Sequence, residues 1–102
     1  MKKSINDVIH ESAKGLYDAG LMDAETMHTF DALCLSPVRD LSPSKIKRIR
    51  LHEKISQSVF AKYLNISPST VKKWETGEKH PNGAALKLLN LVEKMGIEIL
   101  SV

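Results

Sequence analysis

Apolar positions recur along this chain at spacings of three and four, which predicts helices nearly throughout. Ile5, Val8, Ile9, Leu16 and Tyr17 mark an amphipathic helix of about four turns that ends near Gly20. A shorter one follows Asp23, with Met27, Phe30 and Leu33 on one side. Residues 35–43, LSPVRDLSP, interrupt the pattern with two Ser-Pro steps. Each disfavours helix in the residue before proline, so the stretch reads as a semi-stiff linker whose second step starts the next helix, with Ser42 as its cap. In that helix Ile46, Ile49 and Leu51 are the expected core positions, and Arg48 and Arg50 reach outward or across. Residues 83–95 carry Ala85, Leu86, Leu88, Leu89, Leu91, Val92 and Met95, a wider apolar face than one small core needs, and the surplus suggests a subunit interface. The tail GIEILSV alternates Ile97, Glu98, Ile99 after a helix-stopping glycine. It reads either as a short strand pairing with its twin or as a segment packed on the core.

Residues 56–77, SQSVFAKYLNISPSTVKKWETG, give the most specific pattern. Ser56 caps a helix from about Gln57 to Leu64 with Val59, Phe60, Tyr63 and Leu64 at helical spacing. Asn65 suits the left-handed backbone of a sharp corner, and Ile66 drops in behind it. Ser67 caps a second helix that opens with Pro68 and stops at Gly77. Val71 and Trp74 share its inner face, which leaves Ser69, Thr70, Lys72 and Lys73 outward or along the edges. Short hydroxyl and cationic side chains on an exposed helix face suit the edges of bases and the phosphates of a DNA major groove.

Charge divides the chain in the same sense. Residues 1–40 hold four cations and seven acids, net −3, whereas residues 41–102 hold eleven cations and five acids, net +6. The basic part suits phosphate; the acidic part should face away from it or toward a basic protein. Little in the sequence points to catalysis. His10, His28, His52 and His80 are scattered without metal-ligand spacing, no serine or thiol sits in a nucleophile setting, and no glycine-rich phosphate loop is present. Neither an enzyme, a metal nor a cofactor is expected. The lone Cys34 reads as a buried apolar residue near Phe30 and Leu33 rather than a redox group. No stretch is apolar for long enough to span a bilayer and the start MKKSINDVIHES lacks the core of a secretion signal, so the expectation is a soluble cytoplasmic protein.

The block from about residue 42 to 95 resembles the XRE family of lambda Cro and repressor-type helix-turn-helix proteins. Gln57 opens the first reader helix, Ala61 is the small residue at the crossing, and Trp74, Glu75 and Gly77 form its W-E-x-G close. The resemblance implies that Gln57 and Ser58 hold a phosphate at a helix N-terminus and that Ser67 opens the recognition helix. It places Pro68, Ser69 and Lys73 at base edges, and Thr70, Lys72, Thr76 and Lys79 near backbone phosphates. It also implies a pairing of Arg50 with Glu75 inside the domain. Two positions depart from the family pattern: Lys54 stands where glycine is usual, and Pro68 where glutamine often reads a base.

The acidic N-terminal arm, the L-S-P lead into the domain, and P-N-G before a Leu-rich helix are together similar to HigA-type antitoxins of type II toxin-antitoxin systems. That resemblance implies a small basic ribonuclease of the RelE/HigB kind as toxin partner. Asp7, Glu11, Asp18, Asp23 and Glu25 would oppose its cationic surface, with Ile9, Leu16 and Tyr17 as apolar anchors. Two alternatives stay open: an arm that braces or dimerises its own domain, and a stand-alone transcriptional regulator of the phage-repressor kind with no toxin. The expectation is an all-α, lambda-repressor-like helix-turn-helix bundle with an N-terminal helical arm (1–35), a linker (36–41), a DNA-binding domain (42–102) and a short C-terminal tail. It would act as a homodimeric repressor on a palindromic operator.

Overall fold

The computed structural model describes residues 3–102. The chain divides at Pro37 into two compact units, and six α-helices and one short 3-10 helix account for its regular structure, with no strand among the described residues.

The first unit is a pair of helices, α1 (Ile5–Asp18) and α2 (Ala24–Leu33). Local chemistry fixes their ends. Ser4 and Asp7 close a reciprocal capping box, the Asp7 N–H donating to Ser4 Oγ at 3.1 Å and the Ser4 N–H to Asp7 Oδ2 at 3.2 Å. The Asp23 carboxylate accepts from the Thr26 N–H at 2.7 Å, and hydrogen bonding by the Thr26 side chain and N–H holds its carboxyl below the usual value. Gly20, at φ 77°, makes the turn between the helices. A hydrogen bond between His10 Nε2 and Asp31 Oδ1 ties α1 to α2. Burial is slight: among the described residues of this unit only Ala13 and Met27 are removed from solvent. Ile5, Val8, Ile9, Leu16, Tyr17 and Leu33, expected as apolar faces, are exposed, Ile5 at 79% and Leu33 at 71%. Two short helices cannot cover more surface than their single line of contact. Cys34 is half-buried at the C-cap of α2, not enclosed as its apolar neighbours suggested.

The second unit contains α3 (Pro43–His52), α4 (Gln57–Leu64), α5 (Pro68–Thr76), α6 (Gly83–Met95) and the 3-10 turn Ile97–Leu100. Its core joins Leu41, Ile46, Ile49, Phe60, Ala61, Leu64, Val71, Trp74, Leu86, Leu89, Val92 and Ile97. Ser42, Ser56 and Ser67 each cap a helix, accepting from the N–H three residues on, and proline follows at the first position of α3 and α5. Asn65 at φ 57° makes the corner between α4 and α5, and Gly77 at φ 83° ends α5. Leu51 is exposed, against expectation: with Ile46, Ile49 and Arg50 turned inward, the next residue is carried about 100° further round the helix and out of the core. Val59 and Tyr63 are likewise largely exposed while Ala61 lies in the helix contact. Along α6, Leu86, Leu89 and Val92 are buried, Ala85, Leu88 and Leu91 half-buried and Met95 exposed.

Tertiary contacts decide the tail, which the sequence left between a strand and packing on the core, and redraw the expected linker. The tail is a 3-10 turn and not a strand, because Gly96 at φ 87° redirects the chain and the Ile97 N–H donates to Glu53 Oε1 at 3.1 Å, which seats Ile97 in the core. Residues 39–41, within the expected linker, are held by the domain. The Arg39 N–H donates to Asn90 Oδ1 at 3.0 Å, Asn90 Nδ2 returns a bond to the Arg39 carbonyl at 2.9 Å, and Leu41 is buried.

Candidate nucleic-acid interface

α5 is positioned by what lies beneath it. Val71 and Trp74 anchor one side in the core, and Glu75 is fixed from below by a guanidinium. Arg50 Nε donates to Glu75 Oε2 at 2.7 Å and Nη2 donates to Oε1 at 2.8 Å, a two-bond fork. Its Nη1 donates to the Ile55 carbonyl at 3.0 Å, which ties the corner before α4 into the same network. Gln57 Nε2 completes it with a bond to Glu75 Oε1 at 3.3 Å. Burial pushes the Glu75 carboxyl up, but the bonds from Arg50 and Gln57 and the charges of Arg50 and Lys47 prevail and hold it below its ordinary value. Donating to Glu75 raises Arg50 in turn, against the cost of burial. Both therefore stay charged near neutrality, and the pair pins three helices at one point.

With its inner side so fixed, α5 presents the opposite side to solvent. At about 100° per residue, Ser69, Lys72, Lys73 and Thr76 fall opposite Val71 and Trp74, with Pro68 and Thr70 at the margins. Pro68, Ser69, Lys72 and Thr76 are exposed; Thr70 and Lys73 are half-buried. The hydroxyls at the start of α5 bond one another. Ser67 Oγ lies 3.1 Å from Ser69 Oγ and 2.8 Å from Thr70 Oγ1, and it also accepts from the Thr70 N–H at 3.3 Å. At the other end the Lys73 carbonyl accepts from Thr76 Oγ1 and from the Lys79 N–H, both at 3.2 Å, so the segment after Gly77 folds back on the helix and keeps the Lys79 side chain exposed beside it. Ser58 is exposed in the first turn of α4, while Gln57 is half-buried with its amide given to Glu75. Hydroxyls and ammonium groups on one rigid exposed helix are the donors that acceptor-rich groove edges and phosphate oxygens require.

The remaining candidates lie in the first unit. Asp7 serves the capping box of α1, Glu11 Oε1 pairs with Lys3 Nζ at 2.6 Å, and Asp18, Asp23 and Glu25 are exposed, as are Ile9, Leu16 and Tyr17. Sequence reasoning missed the bond between Gln57 and Glu75, the Asn90 clamp on Arg39 and the Glu53 bracket on the tail. None has a local signal, since each joins residues 18 or more positions apart. The backbone of Lys54 did carry one. Its φ is 59°, which accounts for the glycine the XRE pattern favours there. Among the described residues, no cluster of three or more His, Cys, Asp or Glu side chains could hold a metal, and no helix is long and apolar enough to cross a membrane.

Comparison with known proteins agrees with this geometry. A helix-turn-helix family profile matches residues 46–92, which run from α3 into α6. Antitoxin HigA-2 of Vibrio cholerae serotype O1 is 34% identical over 96 residues, a match that covers 89% of this chain and 88% of the relative. The likeness therefore takes in both units, the acidic helix pair as well as the capped reader with its pinned recognition helix, and the chain belongs to the HigA-like antitoxins, DNA-binding regulators with an XRE-type helix-turn-helix.

Proposed function

We propose that this protein is the antitoxin and autorepressor of a type II toxin-antitoxin pair. α5 enters the major groove of a palindromic operator, and the arm occupies a small basic ribonuclease of the RelE/HigB kind. The observation that carries the reading is the separation of two chemistries: a basic unit with a braced, polar helix face, and an acidic unit that leaves most of its apolar residues in solvent. Pro68, Ser69 and Lys73 read bases; Gln57, Ser58, Ser67, Thr70, Lys72, Thr76 and Lys79 hold the phosphate backbone. Asp7, Glu11 and Asp18, with Ile9, Leu16 and Tyr17, face the toxin. One reader helix contacts too few bases to select a site in a genome, so the protein acts as a homodimer on half-sites about 34 Å apart.

Co-expression with the neighbouring gene tests the pairing: the expected result is a co-purifying small basic protein whose RNA cleavage is inhibited. A chain that binds an operator but retains no such partner would be a stand-alone regulator. On DNA, Lys73→Ala should lose about 1–3 kcal/mol on the cognate site and flatten discrimination at one base position, whereas Lys79→Ala weakens all sequences alike. Equal losses on specific and non-specific duplexes for both variants would overturn the division between base and phosphate contacts.

A further inference from the structure

The four cations of α3 point in different directions, and three have an evident place. Lys45 Nζ pairs with Glu93 Oε2 of α6 at 3.0 Å. Arg48 lines the open groove between α3 and α6, with Ile49 and Val92 in the same wall. Arg50 is buried on Glu75. Lys47 is the fourth. It is exposed, and among the described residues it has no ion-pair partner.

Its position follows from the helix. Lys47 lies about 60° round α3 from Arg50, on the flank away from Lys45 and α6. Pro43, one turn earlier on that flank, abuts the end of the recognition helix: a Cβ on Gly77 would stand 3.4 Å from Pro43 Cγ. The charge of Lys47 is felt at Glu75, on α5 itself. The exposed ammonium therefore stands beside the recognition helix, next to the residues that brace it.

We propose that Lys47 contacts a DNA phosphate, carrying the backbone footprint from the helix-turn-helix onto α3. This rests on the DNA-binding reading above. A lysine there acts as a point charge on the phosphodiester oxygens and carries no base information, so its removal must weaken every sequence equally and release fewer counterions.

The test is the salt dependence of affinity, read by fluorescence anisotropy on a duplex from the region upstream of the gene and on an unrelated duplex of equal length. Lys47→Gln should weaken both about fivefold and reduce the slope of log affinity against log salt by about 0.9 for each Lys47 engaged, while Lys47→Arg restores it. Arg48→Ala, on the α6 flank, should keep the wild-type slope. Thermal stability of Lys47→Gln should match wild type, which separates a phosphate contact from support of Glu75. A wild-type slope for Lys47→Gln, an equal slope change for Arg48→Ala, or a loss confined to the upstream duplex would overturn the inference while leaving DNA binding intact. Failure of the wild-type protein to bind either duplex would overturn both.

Discussion

The arm and the reader are built from helices of similar length and similar caps, yet they bury very different amounts of themselves. In the reader, twelve residues form one core, and Phe60, Ile46, Leu89, Val71 and Val92 are almost wholly enclosed. Among the described residues of the arm, Ala13 and Met27 alone are buried, while five large apolar residues of α1 stay in solvent. Capping and helical propensity give each helix its ends, but stability comes mainly from apolar area removed from water. The reader supplies that area within itself. The arm does not: its large apolar residues on α1 stay in solvent.

The contrast can be broken most directly by deleting residues 1–35. Operator affinity and the unfolding transition of the reader should stay near wild type, because every residue of its core lies beyond position 40. Inhibition of the proposed toxin should vanish. A truncated chain that still inhibits fully would remove the arm's role, and one that loses DNA binding and thermal stability together would make the arm a brace.

Single truncations should repeat the contrast on a smaller scale. Phe60→Ala should cost about 3–5 kcal/mol, since a fully enclosed ring leaves a cavity, whereas Ile5→Ala or Leu33→Ala in the free protein should change stability by about 0.5 kcal/mol or less. Trp74, the single tryptophan and a core residue, reports the reader's unfolding in urea. Comparable losses for Ile5→Ala and Phe60→Ala would erase the distinction.

Within the reader, replacing Arg50 by methionine should cost about 3–5 kcal/mol by leaving Glu75 buried and unpaired, and the double variant with Glu75→Gln should lose less than the two single losses added together. A coupling near zero would mean the fork adds nothing to the fold. The same carboxylate sets an acid limit. Its pKa in the folded protein lies below the ordinary 4.5, so its contribution is fully present above that value and is lost as pH falls through the folded-state pKa. Urea denaturation between neutrality and pH 3 should show this loss in the wild type and less of it in Glu75→Gln.

Within the reader, a smaller effect than that of the Arg50–Glu75 pair is expected at the turn between α3 and α4. Lys54→Gly should stabilise the reader by about 1 kcal/mol, relief of the left-handed strain being partly offset by greater freedom in the unfolded chain. A loss of stability would show that the lysine side chain compensates for its own backbone.

Spacing, caps and breakers determined the six α-helices of this protein, because those signals act between residues a few positions apart: Ser67 three before Thr70, Asn65 at a corner, Gly77 at a stop. The polar face of α5 was legible for the same reason, as the inner residues Val71 and Trp74 define the outer ones. The Arg50–Glu75 pair was available only through resemblance to a family. Which apolar residues find cover was decided by tertiary structure. Leu51 and Val59 have the same apolar chemistry as Ile46 and Leu64, and only the placement of neighbouring helices sends them outward. Nothing local singles out Glu53 or Asn90; long-range contacts make them the brackets that seat the tail as a 3-10 helix and hold residues 39–41 to the domain. A local pattern states what a segment can form, whereas burial and long-range hydrogen bonds depend on where the rest of the chain has gone.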